Sequence, residues 1–200
     1  DNIDIMKALG EIYYKLEKYN QSIYYYNNLI ECSGGSENSF YSLALSYVKN
    51  SNFLQALIAF KRASNFNETN ELIKYQIGVT YVELELYNEA LPYFINYNIN
   101  DSDSKLMTGL CYLKLYQYEN ALKYFDLYLT LKESNLEIEY YKGLCYFYMK
   151  NYKIAAKILK KLIKSDVDNS DAIYKLGVCY VNLEKTREAK KILNNLYYMN

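Results

Sequence analysis

Residues 109–112 read Gly-Leu-Cys-Tyr, residues 143–146 repeat it, and residues 177–180 read Gly-Val-Cys-Tyr. Cys111, Cys145 and Cys179 thus recur at a 34-residue step. Thiolates can ligate zinc or exchange disulfides, so these are the first residues to test for chemistry. The composition answers against both. There is no His in 200 residues, which removes His-based general acid–base catalysis, Ser-His and Cys-His pairs, and nearly every catalytic zinc site. No closely spaced cysteine pair exists, and Cys32 stands apart. Paired acids occur at Glu137/Glu139 and Asp166/Asp168, but near loop or helix starts, where a carboxylate suits the helix dipole and needs no catalytic role. With seven Gly and one Pro the chain has no Gly-rich phosphate loop and little of the turn punctuation of an all-β protein. The expectation is a non-enzyme with no cofactor and no metal.

The bulk properties say what else it is not. Hydrophobic residues make up 51% and charged residues 23% of the chain, enough apolar material for a substantial core. The longest apolar runs fall far short of the roughly 18 residues needed to cross a bilayer, so no membrane insertion is expected. The first residue is Asp1 rather than Met, and the compartment stays open. Lys+Arg and Asp+Glu are both 23, which argues against a nucleic-acid binder relying on bulk charge. The balance hides an asymmetry, because residues 149–200 carry eleven Lys or Arg against five acids. Lys153, Lys157, Lys160, Lys161 and Lys164 recur at helical spacing beside Ile154, Ile158, Leu159 and Leu162, the pattern of a solvated outer face.

The elements that carry these residues follow from an internal repeat. Small residues precede a tyrosine by three at Gly10/Tyr13, Ala44/Tyr47, Gly78/Tyr81, Gly109/Tyr112, Gly143/Tyr146 and Gly177/Tyr180, in steps of 34, 34, 31, 34 and 34. Twelve residues after each small residue stands another: Ser22, Ala56, Ala90, Ala121, Ala155 and Ala189. Four further on comes a bulky group: Tyr26, Phe60, Phe94, Phe125, Leu159 and Leu193. A fixed period of this length decides the fold class before any local reading.

One unit shows the physics. From Ser39 to Lys49, Phe40, Leu43, Ala44 and Tyr47 share one helical face; Asn50-Ser51-Asn52 interrupts; then Ala56, Leu57, Phe60 and Ala63 share a face from Phe53 to Ala63. This is a helical hairpin in which Ala44 and Ala56 allow close approach while Tyr47 and Phe60 fill the space beside them. The stretches 33–36, Asn67 to Asn70, Ser102 to Ser104, Ser134-Asn135 and Asp168 to Ser170 suit helix starts. The 31-residue step predicts a shortened helix or tighter loop around Asn98-Ile99-Asn100, and Pro92 sits near the start of a second helix, where it costs least.

The run Leu9-Gly10, Tyr13, Tyr19, Ser22, Tyr26, repeated as Ile77-Gly78, Tyr81, Tyr87, Ala90, Phe94, resembles the tetratricopeptide repeat, a 34-residue helix–turn–helix motif. The resemblance covers nearly all of residues 3–200. It departs from the family in having no Trp, in placing Glu68, Glu133 and Val167 where a closing proline is frequent, and in Thr108 and Lys142 before the fourth and fifth glycines. It implies an all-α, right-handed superhelical solenoid of about six repeats, a single domain over 1–200, with repeats at roughly 3–36, 37–70, 71–101, 102–135, 136–169 and 170–200. It implies also a concave groove of first helices that holds a segment of another protein. One subclass of the family clamps a chaperone-tail carboxylate with Lys, Asn and Arg. The corresponding residues here are Lys7, Glu11, Ser42, Leu72 and Gln76; only Lys7 fits, so that clamp is rejected.

On the first helices, Tyr41, Leu45 and Val48 lie about half a turn from the hairpin-facing residues, two residues being ~200° of rotation. Their counterparts are Tyr75, Val79 and Val82; Leu106, Leu110 and Leu113; Tyr140, Leu144 and Phe147; and Tyr174, Val178 and Val181. All are apolar or aromatic where an isolated hairpin would be polar. Two readings stand for the ladder Tyr41, Tyr75, Tyr140, Tyr174: packing against the neighbouring repeat, or aromatic anchors for a peptide. The expected groove comprises Tyr41, Leu45, Tyr75, Val79, Leu106, Leu110, Tyr140, Leu144 and Tyr174, with Gln76, Tyr141 and Lys175 as polar additions. The alternative is a structural scaffold or self-assembling segment of a larger protein, associating end to end. In this frame the cysteines mark the period. Helices stacked ~8–10 Å apart stand too far for disulfides, whose Cα atoms need to lie within about 7 Å, so four free thiols are expected.

Overall fold

A computed structural model describes residues 2–97, 101–133, 136–165 and 169–199. Among them are twelve α-helices and no strands. They fall in two compact units, Asp1–Ile99 and Asn100–Asn200. Unit 1 holds three hairpins: α1 (Asn2–Lys15) with α2 (Tyr19–Ser33), α3 (Glu37–Lys49) with α4 (Phe53–Ser64), and α5 (Glu71–Glu83) with α6 (Tyr87–Ile95). Unit 2 holds α7 (Ser102–Lys114) with α8 (Tyr118–Leu131), α9 (Leu136–Tyr148) with α10 (Tyr152–Ser165), and α11 (Ser170–Asn182) with α12 (Thr186–Met199). Within each unit every second helix also packs on the next first helix, α2 on α3, α4 on α5, α8 on α9 and α10 on α11. This is an all-α repeat fold of the solenoid type.

Hairpin closure follows from two sequence devices. The small residues let the chains touch: Ala44, Ala56 and Phe60 are fully buried together, and a Cβ on Gly109 would come within 2.6 Å of the Phe125 ring. The turn then closes by a repeated backbone motif. Lys18 N–H donates to the Tyr13 carbonyl at 2.9 Å and Asn52 N–H to that of Tyr47 at 2.8 Å, with the same bond in all six hairpins. Between them sits a residue at φ of 58 to 61°: Glu17, Ser51, Glu85, Tyr116, Lys150 and Glu184. This is the Schellman termination, with the left-handed position filled by residues other than glycine.

The first helices are capped by side chains. Ser36 accepts from Ser39 N–H in a capping box, Asn70 accepts from Leu72 and Ile73, and Asn169 accepts from Ala172. At α7 the cap is Asp101, which accepts from Ser104 N–H at 2.6 Å, while Ser102, expected to start the helix, is its first residue. Ser134, Asn135 and Asp168 lie outside the described residues, as do Asn98, Ile99 and Asn100. α6 spans nine residues against 12 to 15 for the other second helices, so the 31-residue step does coincide with a shortened helix. Pro92 is its sixth residue, deeper than the first turn. The lysines of α10 at 153, 157, 160, 161 and 164 are all exposed.

The left-handed turn residues yield a measurable consequence. A non-glycine residue there carries a steric cost of about 1 kcal/mol, part of which glycine gives back in unfolded-chain entropy. Ser51→Gly is expected to raise the thermal midpoint by about 1–4 °C, corresponding to ~0.5–1 kcal/mol. Calorimetry showing a fall of similar size would contradict the turn assignment.

Candidate functional site

Cys111, Cys145 and Cys179 each lie on a first helix and are 1% exposed or less. Burial pushes their thiols up to about 12, 12 and 11 respectively. A thiol held that high carries almost no thiolate at neutral pH, the opposite of a reactive or metal-binding cysteine. Among the described residues no cluster of three or more His, Cys, Asp or Glu could hold a metal ion. All four cysteines are free, and Cys32 alone is exposed. The regular spacing is a packing device: Ser46 and Thr80, at the same repeat position, are equally buried.

In unit 1, the first-helix residues expected to line a groove are half-buried. Tyr41 leans edge-on against Phe60, with ring centroids 5.7 Å apart, and Tyr75 meets Phe94 in the same way at 5.5 Å and Tyr97 at 5.1 Å. One side of each ring is therefore core. Leu45 and Val48 also pack partly against the core cluster of Phe40, Leu43 and Phe60. Gln76 and Val79 are half-buried beside them. Burial raises the Tyr41 phenol above its ordinary value, and the ring shares its contacts between protein and solvent.

Unit 2 adds a polar network that the residue pattern did not announce. Tyr140 on α9 donates its hydroxyl to Asp171 Oδ2 on α11, and Lys175 Nζ donates to Asp171 Oδ1. Lys175 also lies 5.9 Å from the centre of the Phe147 ring. Burial alone would raise the Asp171 carboxyl, but the hydrogen bonds from Lys175 and Tyr140 outweigh it and hold it below its usual range. Burial, together with the same contact, raises the Tyr140 phenol above its ordinary value. Tyr141 stacks on Phe125 with centroids 5.7 Å apart and planes 16° apart. Its hydroxyl donates to Glu137 Oε1 at 2.9 Å, and burial followed by this carboxylate pushes it up to about 12. Leu106, Leu110 and Leu144 pack partly into the cluster around Phe125. Tyr174 is the outlier, 53% exposed.

Sequence reasoning missed two features. The Tyr140–Asp171–Lys175 link joins residues 31 positions apart, and only the direction of the side chains brings them together. A cavity in unit 1 lined by Lys7, Glu11, Asn38 and Ser42 was also missed. Its signal was available, since in the row Ala8, Ser42, Gln76, Met107, Tyr141, Lys175 a short side chain stands at Ser42 where the four later repeats carry long ones.

The buried thiols make a clean expectation. A disulfide reagent at pH 8 titrates Cys32 alone, raising the pH to 9.5 leaves the count at one, and denaturant brings it to four. Fast reaction of two or more thiols in the native protein would show that these first-helix sites open to solvent.

The chain matches the family described as "Anaphase-promoting complex, cyclosome, subunit 3" over residues 15–97 and 114–196. No curated protein sequence matches it. Among solved structures it is similar to a tetratricopeptide repeat protein from Parabacteroides merdae, at 15% identity over 98% of this chain and 79% of the other, with a TM-score of 0.82. MamA from Desulfovibrio magneticus, solved from residue 41 to its end, is similar at 13% identity over 84% of this chain and 97% of that one, TM-score 0.76. YrrB, described as a TPR protein with an unusual peptide-binding site, is similar at 23% identity over 86% and 90%, TM-score 0.68. At these identities the structural likeness speaks to fold alone. Six hairpins in register, the two family matches and these neighbours agree, and the chain belongs to the tetratricopeptide-repeat family, within the family of anaphase-promoting complex subunit 3.

Proposed function

We propose that this chain is a protein-interaction module that takes a peptide or protein segment on the exposed side of its first helices. The observation that carries this reading is the chemistry of that side. Aromatic and aliphatic residues sit half in the core and half in solvent, at positions where a free-standing helix would be polar. In unit 1 the surface is Tyr41, Leu45, Tyr75, Gln76 and Val79. In unit 2 it is Leu106, Leu110, Tyr140, Tyr141, Leu144, Tyr174 and Lys175. Anchoring comes from rings and aliphatic groups, with no chaperone-tail carboxylate clamp, because Glu11 and Leu72 replace the donors such a clamp needs. Lys175 and Tyr140 serve as a prearranged polar rim through Asp171. YrrB's peptide-binding site and the repeat family it shares lend support to a peptide as the ligand.

The test is affinity capture from a lysate of the source cell, comparing wild type with a Tyr140→Phe/Tyr174→Ala double variant. These changes remove one hydroxyl and one exposed ring while sparing the core. Capture of specific partners is expected to fall about tenfold, the effect of losing an interface anchor worth ~1.4 kcal/mol, with the thermal midpoint shifted by less than about 2 °C. Equal capture by the variant would remove the unit 2 surface from this role.

A second reading, a scaffold that self-associates, is favoured by one specific surface. Ile5 and Ile12 on α1 and Leu16 just past its end are 55%, 50% and 57% exposed. At the position of Ile12 the later residues Ser46, Thr80, Cys145 and Cys179 are essentially fully buried. Ser46 meets Ser22 of the preceding second helix at 2.9 Å, so this is the face on which another helix seats in every comparable hairpin. Sedimentation at several concentrations is expected to show association that Ile12→Lys abolishes. A strictly monomeric wild type eliminates this second reading.

A further inference from the structure

Unit 1 contains a cavity of about 520 Å³ between α1, α2 and α3, and a second of about 190 Å³ adjoins it. Glu11, Tyr26 and Ser42 line both. Together they fall in the size range of sites that bury a small molecule or a large side chain.

The repeat register explains why the space is open here. Ser42 and Tyr26 of the first two repeats correspond to Tyr141 and Phe125 of the fourth and fifth, and Asn38 corresponds to Glu137. In unit 2 the chain fills the corresponding place itself. The Tyr141 ring lies on Phe125 at 5.7 Å, and its hydroxyl is held by Glu137 at 2.9 Å. In unit 1 a serine stands where that ring's side chain begins, and its hydroxyl interacts with the Tyr26 phenol. Lys7 and Glu11 take the positions of Leu106 and Leu110, so the walls are polar where those of unit 2 are apolar. Leu29 and Leu45 keep part of the lining apolar.

We propose that this cavity receives a tyrosine side chain from the bound peptide. The argument rests on the interaction-module reading above and names the group that unit 1 selects. The ring enters beside Tyr26 and over Ser42, reproducing from outside the place that Tyr141 takes from within. Its hydroxyl reaches Asn38, Lys7 and Glu11, a set holding both donors and acceptors. Lys7, Glu11 and Asn38 stand exposed at the rim, so a phenylalanine would forgo hydrogen bonds that the tyrosine hydroxyl makes with them, and an aliphatic side chain would in addition lack the flat shape; both bind more weakly.

The experiment is an NMR titration of the 15N-labelled full chain with N-acetyl-tyrosinamide. Saturable shifts are expected around Ser42 and Lys7, with a midpoint on the order of 1 mM, the range open to so small a ligand. Ser42→Tyr supplies the ring internally, and is expected to keep or raise the thermal midpoint while weakening the probe at least tenfold. Ser42→Gln, which installs the residue of the third repeat, is expected to weaken it several-fold and covers the case in which the tyrosine variant folds poorly. The proposal is overturned if wild type shows no saturable shifts around Ser42, if both variants titrate like wild type, or if N-acetyl-leucinamide binds equally well. Because the titration needs no natural partner, a chain that captures partners through Tyr174 yet ignores the probe would refute this cavity's role and leave the broader reading intact.

Discussion

The close approach of two helices within each hairpin is the contact from which the rest of this molecule follows. It depends on a small residue on each side, such as Ala44 against Ala56, and on a bulky group one turn along that lies over the pair, such as Phe60. With the axes that near, the intervening turn has no length to spare, and the backbone closes through a left-handed residue. The hairpin so formed buries only one side of each helix. Its other apolar stripe must find the next hairpin, which is why the fold exists as stacked copies within each unit rather than as single hairpins.

That dependence also made the fold legible in the sequence. Size is a one-residue property, so an alternation of Gly or Ala, Tyr, Ala and Phe at fixed offsets can be read without knowing where any side chain points. The cap at Asp101 was less legible, because Ser102 next to it is an equally good capping residue and backbone geometry chose between them. The binding surface was legible only as a class. Tyr41 and Tyr75 could be assigned to the first-helix face, but their lean onto Phe60 and Phe94 is a matter of rotamer and neighbour. The Tyr140–Asp171 bond belongs to the same kind of information, and so does the stacking of Tyr141 on Phe125. Where one side chain is exchanged for another of different size in a repeat register, as at Ser42, the sequence does hold the signal. It has to be read down the column rather than along the chain.

Repetition of the backbone frees individual positions to differ. Cysteine, serine and threonine share one buried site because each is small, and their chemistry is silenced by burial. The first-helix surface uses the same freedom in the opposite way, placing tyrosine, glutamine, leucine or lysine on a constant scaffold. Chemical identity in this molecule therefore resides in the half-exposed positions, and the fully buried ones carry geometry.

The tyrosine pairs inside the hairpins have a further consequence. Tyr13 stacks on Tyr25 at 5.3 Å, Tyr81 meets Tyr93 at 5.7 Å, and Tyr112 meets Tyr124 at 5.5 Å, in a chain with 27 tyrosines and no tryptophan. Each pair is internal to one hairpin and exists only while its two helices stay closed. The near-ultraviolet dichroism of the molecule thus includes a local optical gauge in each of these three hairpins, undimmed by indole absorption. Loss of that signal ahead of the far-ultraviolet helix signal would reveal hairpins loosening while their helices persist.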